Sequence, residues 1–327
     1  MKSPTPSGNR DESLSRGAEF AGVAGAADGA TASGREAAGS RVFIFGKLLR
    51  PHHWIKNGFV FVPFVFSGKL TDPALVVRGF EAFGALGMAS SAVYVLNDLV
   101  DAEADRLHPT KSLRPIASGK VGAAQALLLM AGLGAAAILL ALRVSAPVGY
   151  IVLSYIGVSA LYSFYTKHVV LLDVFSIAAG FLLRVLAGAF VTMVLPSHWI
   201  LLMTLFLSLM LGFGKRRGEL VQLERNPEGH RAVLNLYRVA TIDQMLVVLV
   251  GMVVVTFSIY SGSDYAIQRF GTDALVYTVP LVVYGLFRYL YVINQKGGGD
   301  PTEILLSDRP LLACVIGWLI LCVWIIY

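Results

Sequence analysis

Charge is what this chain has least of. Of its 327 residues only 15% are charged and 56% are hydrophobic, and the mean hydropathy is +0.67. Soluble domains carry about 25% charged residues, so a water-soluble globule is excluded. Cysteine is nearly absent too. Cys314 and Cys322 lie eight residues apart in one apolar run. On a helix that is about 12 Å, too far for a disulfide between them. A disulfide framework and a thiolate metal centre are both excluded. There is no G-x-x-x-x-G-K-[ST] and hence no P-loop. Residues 1–40 have almost no large apolar side chains and lack the apolar core of a signal peptide. Rich in Gly, Ala and Ser, they are expected to form a disordered cytoplasmic tail, with 41–327 as a single transmembrane domain.

What the chain does have is long uncharged runs. Val121–Leu142, Val144–Tyr165, Gln244–Ser263 and Pro310–Tyr327 hold no Asp, Glu, Lys or Arg. Apolar stretches of roughly 18 or more residues read as membrane helices, and several in series exclude a buried core helix as the explanation. The pattern predicts an all-α membrane protein with nine spans, at 54–69, 74–97, 121–142, 146–165, 169–194, 198–214, 240–262, 272–294 and 311–327. The first is short and holds Pro63, and "LPSH" (195–198) marks a tight turn between the fifth and sixth. One set of alternate loops carries fourteen Lys and Arg against four in the other, and the segment through Lys56 adds eight on the richer side. The positive-inside rule makes that side cytoplasmic and the protein a multi-pass plasma-membrane protein. The opposite loops are short or bland, so a site is expected to open to the cytoplasm, and no nucleic-acid partner is expected.

The charges that remain are concentrated. "NDLVDAEADRLHPTKSLRPIASGK" (97–120) follows the second span. Within it Asn97, Asp98, Asp101 and Asp105 are spaced three and four apart, which puts them on one helix face. Three carboxylates there repel one another unless a cation neutralises them. Hard oxygen ligands suit Mg²⁺, which takes one or two protein carboxylates and completes its shell with phosphates and water. The plainer reading is a solvated acidic helix end. The cluster sits at a membrane boundary and is followed by His108, Lys111 and Arg114, a sequence of acids for a metal and then bases for phosphates.

Other basic segments could complete such a site. In "RPHHWIKN" (50–57), Lys56 and Asn57 stand beside Trp54, as an interfacial anchor or as site residues. Tyr162, Tyr165 and Lys167 lie in the turn "LYSFYTKH". Asp173 and Arg184, both in the fifth span, share a face but are eleven residues apart. About 16 Å of helix axis keeps them from touching, so each needs another partner. Lys215, Arg216 and Arg217 are either a positive-inside stop signal or a phosphate clamp. The stretch "NQKGGGDPTEILLSDRP" (294–310) is a connector or a flexible lid.

Together these segments resemble the UbiA superfamily of intramembrane prenyltransferases over residues 45–327, and within it the decaprenyl-phosphate phosphoribosyltransferase branch. The acidic motif marks the superfamily. "HPTKSLRPIASG", the lone Asp173 and "KRRGEL" point to the branch, because aromatic prenyltransferases carry a second aspartate-rich motif where "KRRGELVQLERNPEGHR" stands. The resemblance implies a UbiA-type bundle around a central cavity open to the cytoplasm. It also implies Mg²⁺ at Asn97, Asp98, Asp101 and Asp105. The implied reaction is transfer of 5-phosphoribosyl from phosphoribosyl pyrophosphate to a membrane polyprenyl phosphate, with release of pyrophosphate. Asp98, Asp101, Asp105 and Lys167 would be catalytic. Lys56, Asn57, Lys111, Arg114, Tyr162, Tyr165, Asp173, Arg184, Lys215, Arg216 and Arg217 would bind substrate. A homo-oligomer is compatible with this. Two rival readings are prenyl transfer from a prenyl diphosphate to an aromatic acceptor, and a transporter or flippase with no chemistry. The crowding of charge on one side argues against the second.

Overall fold

Four helices of this chain begin where the sequence supplies both a capping side chain and a proline. In a computed structural model, which describes residues 1, 44, 46–108, 110–225, 236–296 and 299–327, every regular element among the described residues is helical. We number the α-helices α1 (Val62–Ser67), α2 (Pro73–Val100), α3 (Ala102–Arg106), α4 (Ala123–Val144), α5 (Ala146–Phe164), α6 (Leu172–Thr192), α7 (His198–Arg225), α8 (Val239–Ser261), α9 (Asp264–Phe270), α10 (Val279–Lys296), α11 (Pro301–Ser307) and α12 (Arg309–Ile326). Asp72 caps α2 by accepting from the amides of Ala74 and Leu75, at 3.0 and 3.2 Å. Ser145, Asp300 and Asp308 do the same for α5, α11 and α12, each with proline in the first turn, where its missing amide costs nothing. The expected tail over 1–40 lies outside the described residues apart from Met1, as do Pro109, Arg231 and part of the Gly run at 297–298.

Among the described residues eight helices are long and apolar enough to cross a membrane. The expected first span is built differently. Pro51–Phe61 is a 3-10 helix, and α1 follows it with Pro63 in its first turn. Proline removes an amide and clashes with the preceding turn, so one continuous α-helix over 54–69 is not available. The turn "LPSH" does separate α6 from α7, with Met193 in left-handed backbone at φ 55.

From Leu48 to Tyr327 the chain packs around several apolar clusters, two of them large. One joins Phe64 of α1, Ala82, Ala85 and Ala89 of α2, Ala137 and Ala141 of α4, Val148 and Val152 of α5, and Ala187 of α6. Small side chains let these backbones approach, which is how membrane helices gain packing without a hydrophobic drive. Gly188 takes this furthest, since a Cβ there would fall on the Val60 carbonyl oxygen. The other cluster joins Met210 and Phe213 of α7, Ile242 and Leu246 of α8, Leu286 and Ile293 of α10, and Leu311 of α12. A chamber of about 1670 Å³ lies between them, lined from both. Single-ligand pockets are usually about 300–1,000 Å³, so this one has room for two substrates.

Candidate functional site

One end of the chamber is ionic and the other apolar. Among the described residues Arg50, Lys56, Lys111, Arg114, Arg184 and Lys215 line it, against Asp98, Asp101 and Glu219, six cations to three carboxylates. The far end is made by Val62, Phe66, Met203, Leu207, Phe257 and Trp318. Such a space suits a ligand with an anionic head and an apolar chain.

The acidic face forms much as its spacing predicts. α2 ends at Val100, Asp101 turns slightly, and α3 resumes, with the amides of Asp101 and Asp105 still bonded to the carbonyls of Asn97 and Asp101. Asn97, Asp98 and Asp101 line the chamber. Each carboxylate of the motif meets a base. Asp98 Oδ1 accepts from Arg50 Nη2 at 2.6 Å and from Arg114 Nη1 at 3.1 Å. Arg114 Nη1 also donates to Asp105 Oδ2 at 2.6 Å, and Lys167 Nζ to Asp101 Oδ1 at 2.7 Å. Asp105 is buried beneath Arg114 and is not part of the chamber wall.

Arg50 is a site residue that sequence reasoning passed over, although it opens "RPHHWIKN". Its backbone is left-handed, φ 48 and ψ 56, directly before Pro51. Non-glycine residues hold that conformation at a cost of roughly 1–3 kcal/mol, and such strain gathers at functional sites. Its guanidinium also lies 5.1 Å over the Tyr94 ring. Trp54 is packed inward: its ring lies where a Cβ on Gly87 would, and its Nε1 donates to Ser91 at 3.1 Å.

A second layer lies deeper. Arg184, 6% exposed, donates from Nε to Asn57 Oδ1 at 2.7 Å, from Nη1 to the Gly180 carbonyl at 2.8 Å and from Nη2 to Tyr155 Oη at 3.0 Å. Its charge also sits over the rings of Tyr155 and Phe181. Among the described residues no carboxylate pairs with it, and Asn57 Nδ2 has no partner. Ser90 bonds both Asn57 and Tyr155, eight residues from Asp98 along α2. This layer therefore lies about 12 Å below the acidic one.

Several of the residues expected to bind substrate make contacts between helices. Asp173, fully buried, accepts from Arg216 Nε at 2.6 Å and from Tyr237 Oη at 2.9 Å. Arg216, 1% exposed, spends its other donors on Glu219 and on Tyr162 Oη, the latter at 3.0 Å. Arg217 is committed to Asp243, the Ile293 carbonyl and Asn294. Neither arginine lines the chamber, and Tyr165 is exposed, while Tyr162 and Lys111 do line it. Burial, together with the neighbouring Asp173, pushes the Tyr237 hydroxyl up to about 12, so it stays protonated. It accepts from the amide of Leu171, itself strained at φ 68, and so pins the turn before α6. Asp173→Ala leaves Arg216 without its buried partner and is expected to cost about 3–5 kcal/mol. A drop in unfolding midpoint of the detergent-solubilised protein checks this; an unchanged midpoint refutes it.

At the rim, Asp300 meets Lys56 Nζ at 3.0 Å and Lys215 Nζ at 3.8 Å. Burial pushes its carboxyl up, but the two ammonium groups outweigh that and hold it below the ordinary carboxylate range. A depressed carboxylate contributes its stability above its unfolded value, about 3.9, and loses it only as pH falls further. The latch is therefore intact at neutral pH.

The donor set suits Mg²⁺ as substrates bring it. Among the described residues no three His, Cys, Asp or Glu converge as a ready-made metal cage. Asp98 and Asp101, with Asn97 beside them, offer the one or two hard oxygens that Mg²⁺ takes when phosphates fill the rest of its shell.

Fold and chamber together define an all-helical, multi-pass membrane protein whose chamber has an ionic end and an apolar end. The UbiA prenyltransferase family matches residues 59–312. The chain is 33% identical to decaprenyl-phosphate phosphoribosyltransferase of Mycolicibacterium smegmatis, over 84% of this chain and 89% of that protein. It is 29% identical to the enzyme of the same name from Mycobacterium tuberculosis, over 84% and 91%. The structure of a UbiA homologue from Archaeoglobus fulgidus bound to DMAPP and Mg²⁺ superposes with a TM-score of 0.67 at 18% identity, over 86% of this chain and 98% of that one. The chain belongs to the UbiA prenyltransferase family and is a membrane transferase.

Proposed function

We propose that this protein transfers a 5-phosphoribosyl group from phosphoribosyl pyrophosphate to a polyprenyl phosphate of decaprenyl type and releases pyrophosphate, in a Mg²⁺-dependent reaction. The observation that carries this is the surplus of cations in the chamber and their division into two layers. Prenyl transfer to a neutral aromatic ring needs one anion site. Here a second, Arg184, lies buried about 12 Å below the first, without a carboxylate partner among the described residues. A buried unpaired cation at membrane depth is costly, and an anionic ligand offsets that cost. The names of the mycobacterial relatives point the same way.

The acidic layer would take the donor. Asp98 and Asp101 would hold Mg²⁺, which neutralises the leaving pyrophosphate. Arg50, Arg114 and Lys167, paired with those carboxylates in the absence of substrate, are placed to turn to phosphate oxygens. Asp105 keeps hold of Arg114 and so aims it. Arg184, steadied by Asn57 and Tyr155, would seat the lipid phosphate, with the chain along Phe66, Met203, Leu207, Phe257 and Trp318. An oxygen of that phosphate attacks ribose C1 as the bond from C1 to the pyrophosphate oxygen breaks. The attacking phosphate is already anionic, so no protein base is required. The chain contributes positioning, charge and exclusion of water.

The same reading completes the topology. Pro51–Phe61 rises about 22 Å as a 3-10 helix and α1 adds about 9 Å, together close to the hydrocarbon thickness. It would serve as the ninth span, with the ionic end of the chamber facing the cytoplasm. Membranes containing the protein, given labelled phosphoribosyl pyrophosphate, polyprenyl phosphate and Mg²⁺, should yield a lipid-soluble ribose phosphate. Turnover of a prenyl diphosphate with an aromatic acceptor, and no ribose product, would overturn the reading.

A further inference from the structure

The rim of the chamber holds a group of donors that the transfer mechanism leaves unused. Lys56 comes from the 3-10 segment, Lys215 from α7 and Tyr289 from α10, and all three line the chamber. Both ammonium groups converge on one oxygen, Asp300 Oδ2, at 3.0 and 3.8 Å. The other oxygen, Oδ1, caps α11 through the amide of Thr302 at 3.0 Å. Tyr289 is 4% exposed, and among the described residues its hydroxyl has no hydrogen-bond partner. That hydroxyl rests against Gly214, where a Cβ would fall on it, so only glycine before Lys215 leaves it this seat. Buried hydroxyl groups ordinarily find partners, and one left without invites a ligand oxygen. Two cations on one oxygen beside an unanswered hydroxyl are the donor set of a phosphate seat.

We propose that Lys56, Lys215 and Tyr289 form a phosphate-monoester subsite at the rim, and that the Asp300 carboxylate holds its place until the ligand arrives. This rests on the reaction proposed above, in which both substrates carry a phosphate monoester. A dianion outcompetes a single carboxylate for two ammonium groups, and Asp300 then swings free while its cap is given up or rebuilt by water. Arg184 already seats the lipid phosphate in that reaction, so the 5-phosphate of the donor is the expected occupant.

The test uses the full chain in detergent and inorganic phosphate as the probe, with binding followed by calorimetry. Asp300→Asn keeps a good helix cap and removes the competing charge, so phosphate should bind roughly tenfold more tightly. Tyr289→Phe should weaken it a few-fold through the lost hydrogen bond. An Asp300→Asn protein that binds phosphate no more tightly than wild type, or a Tyr289→Phe protein that binds it equally well, overturns the subsite. In the transfer assay, Asp300→Asn should lower KM for phosphoribosyl pyrophosphate and leave KM for polyprenyl phosphate in place. A fall in the lipid KM instead overturns the choice of occupant. The binding arm needs no turnover, so an absence of ribosyl transfer with the phosphate results intact would count against the reaction alone.

Discussion

Asp101→Asn is expected to lower turnover by about a thousandfold and to abolish its dependence on Mg²⁺. Of the two chamber-lining aspartates Asp101 is the cleaner to change. Asp98 is 3% exposed and answers both Arg50 and Arg114, so its loss strands two cations and mixes folding with function. Asp101 pairs with Lys167. Lys167 is itself buried, so Asp101→Asn should also lower the unfolding midpoint somewhat. The double variant Asp101→Asn, Lys167→Gln removes that stranded charge. It should recover the midpoint and still lack turnover. Recovery of both would show that the pair is a structural bridge and that the metal sits elsewhere.

Arg184→Gln should produce the opposite combination. Apparent affinity for polyprenyl phosphate is expected to fall about a hundredfold, the range for losing a charge-assisted contact to phosphate in a buried site. KM for phosphoribosyl pyrophosphate should change little, because in the proposed reaction the donor would sit in the layer about 12 Å above. The unfolding midpoint should stay level or rise, since the variant removes a buried charge without a counter-ion while glutamine can still donate to Asn57. A residue kept only for structure would lose stability on replacement. A lower midpoint with unchanged lipid KM would therefore assign Arg184 to the scaffold and remove the main support for a second anion site.

Arg184 also shows how far the chain alone could be read. Its spacing from Asp173 ruled out a bond between the two, and the structure gives each a separate partner, Asn57 with Tyr155 for Arg184 and Arg216 for Asp173. Which of the two would face a ligand was not legible, because that depends on where α7 and the 3-10 segment lie against α6. The triplet Lys215, Arg216 and Arg217 was open for the same reason. Successive residues on a helix point about 100° apart, so three adjacent cations cannot all enter one chamber. The rotation of α7 sends Lys215 to the rim, Arg216 to Asp173 and Arg217 to Asp243. Arg50, Tyr289 and Asp300 had only weak local signals: a residue before proline, an aromatic in an apolar run, and a helix cap.

By itself the sequence determined the class, most span boundaries and the acidic helix face. Each of these follows from local periodicity and from the cost of placing charge in hydrocarbon. Only the tertiary structure decided which charges face the chamber and which pair between helices. A buried cation is neutralised by whatever lies within a few ångströms, and Asp98 with Arg50, Asp173 with Arg216 and Lys56 with Asp300 become neighbours only when segments 43 to 244 residues apart pack together.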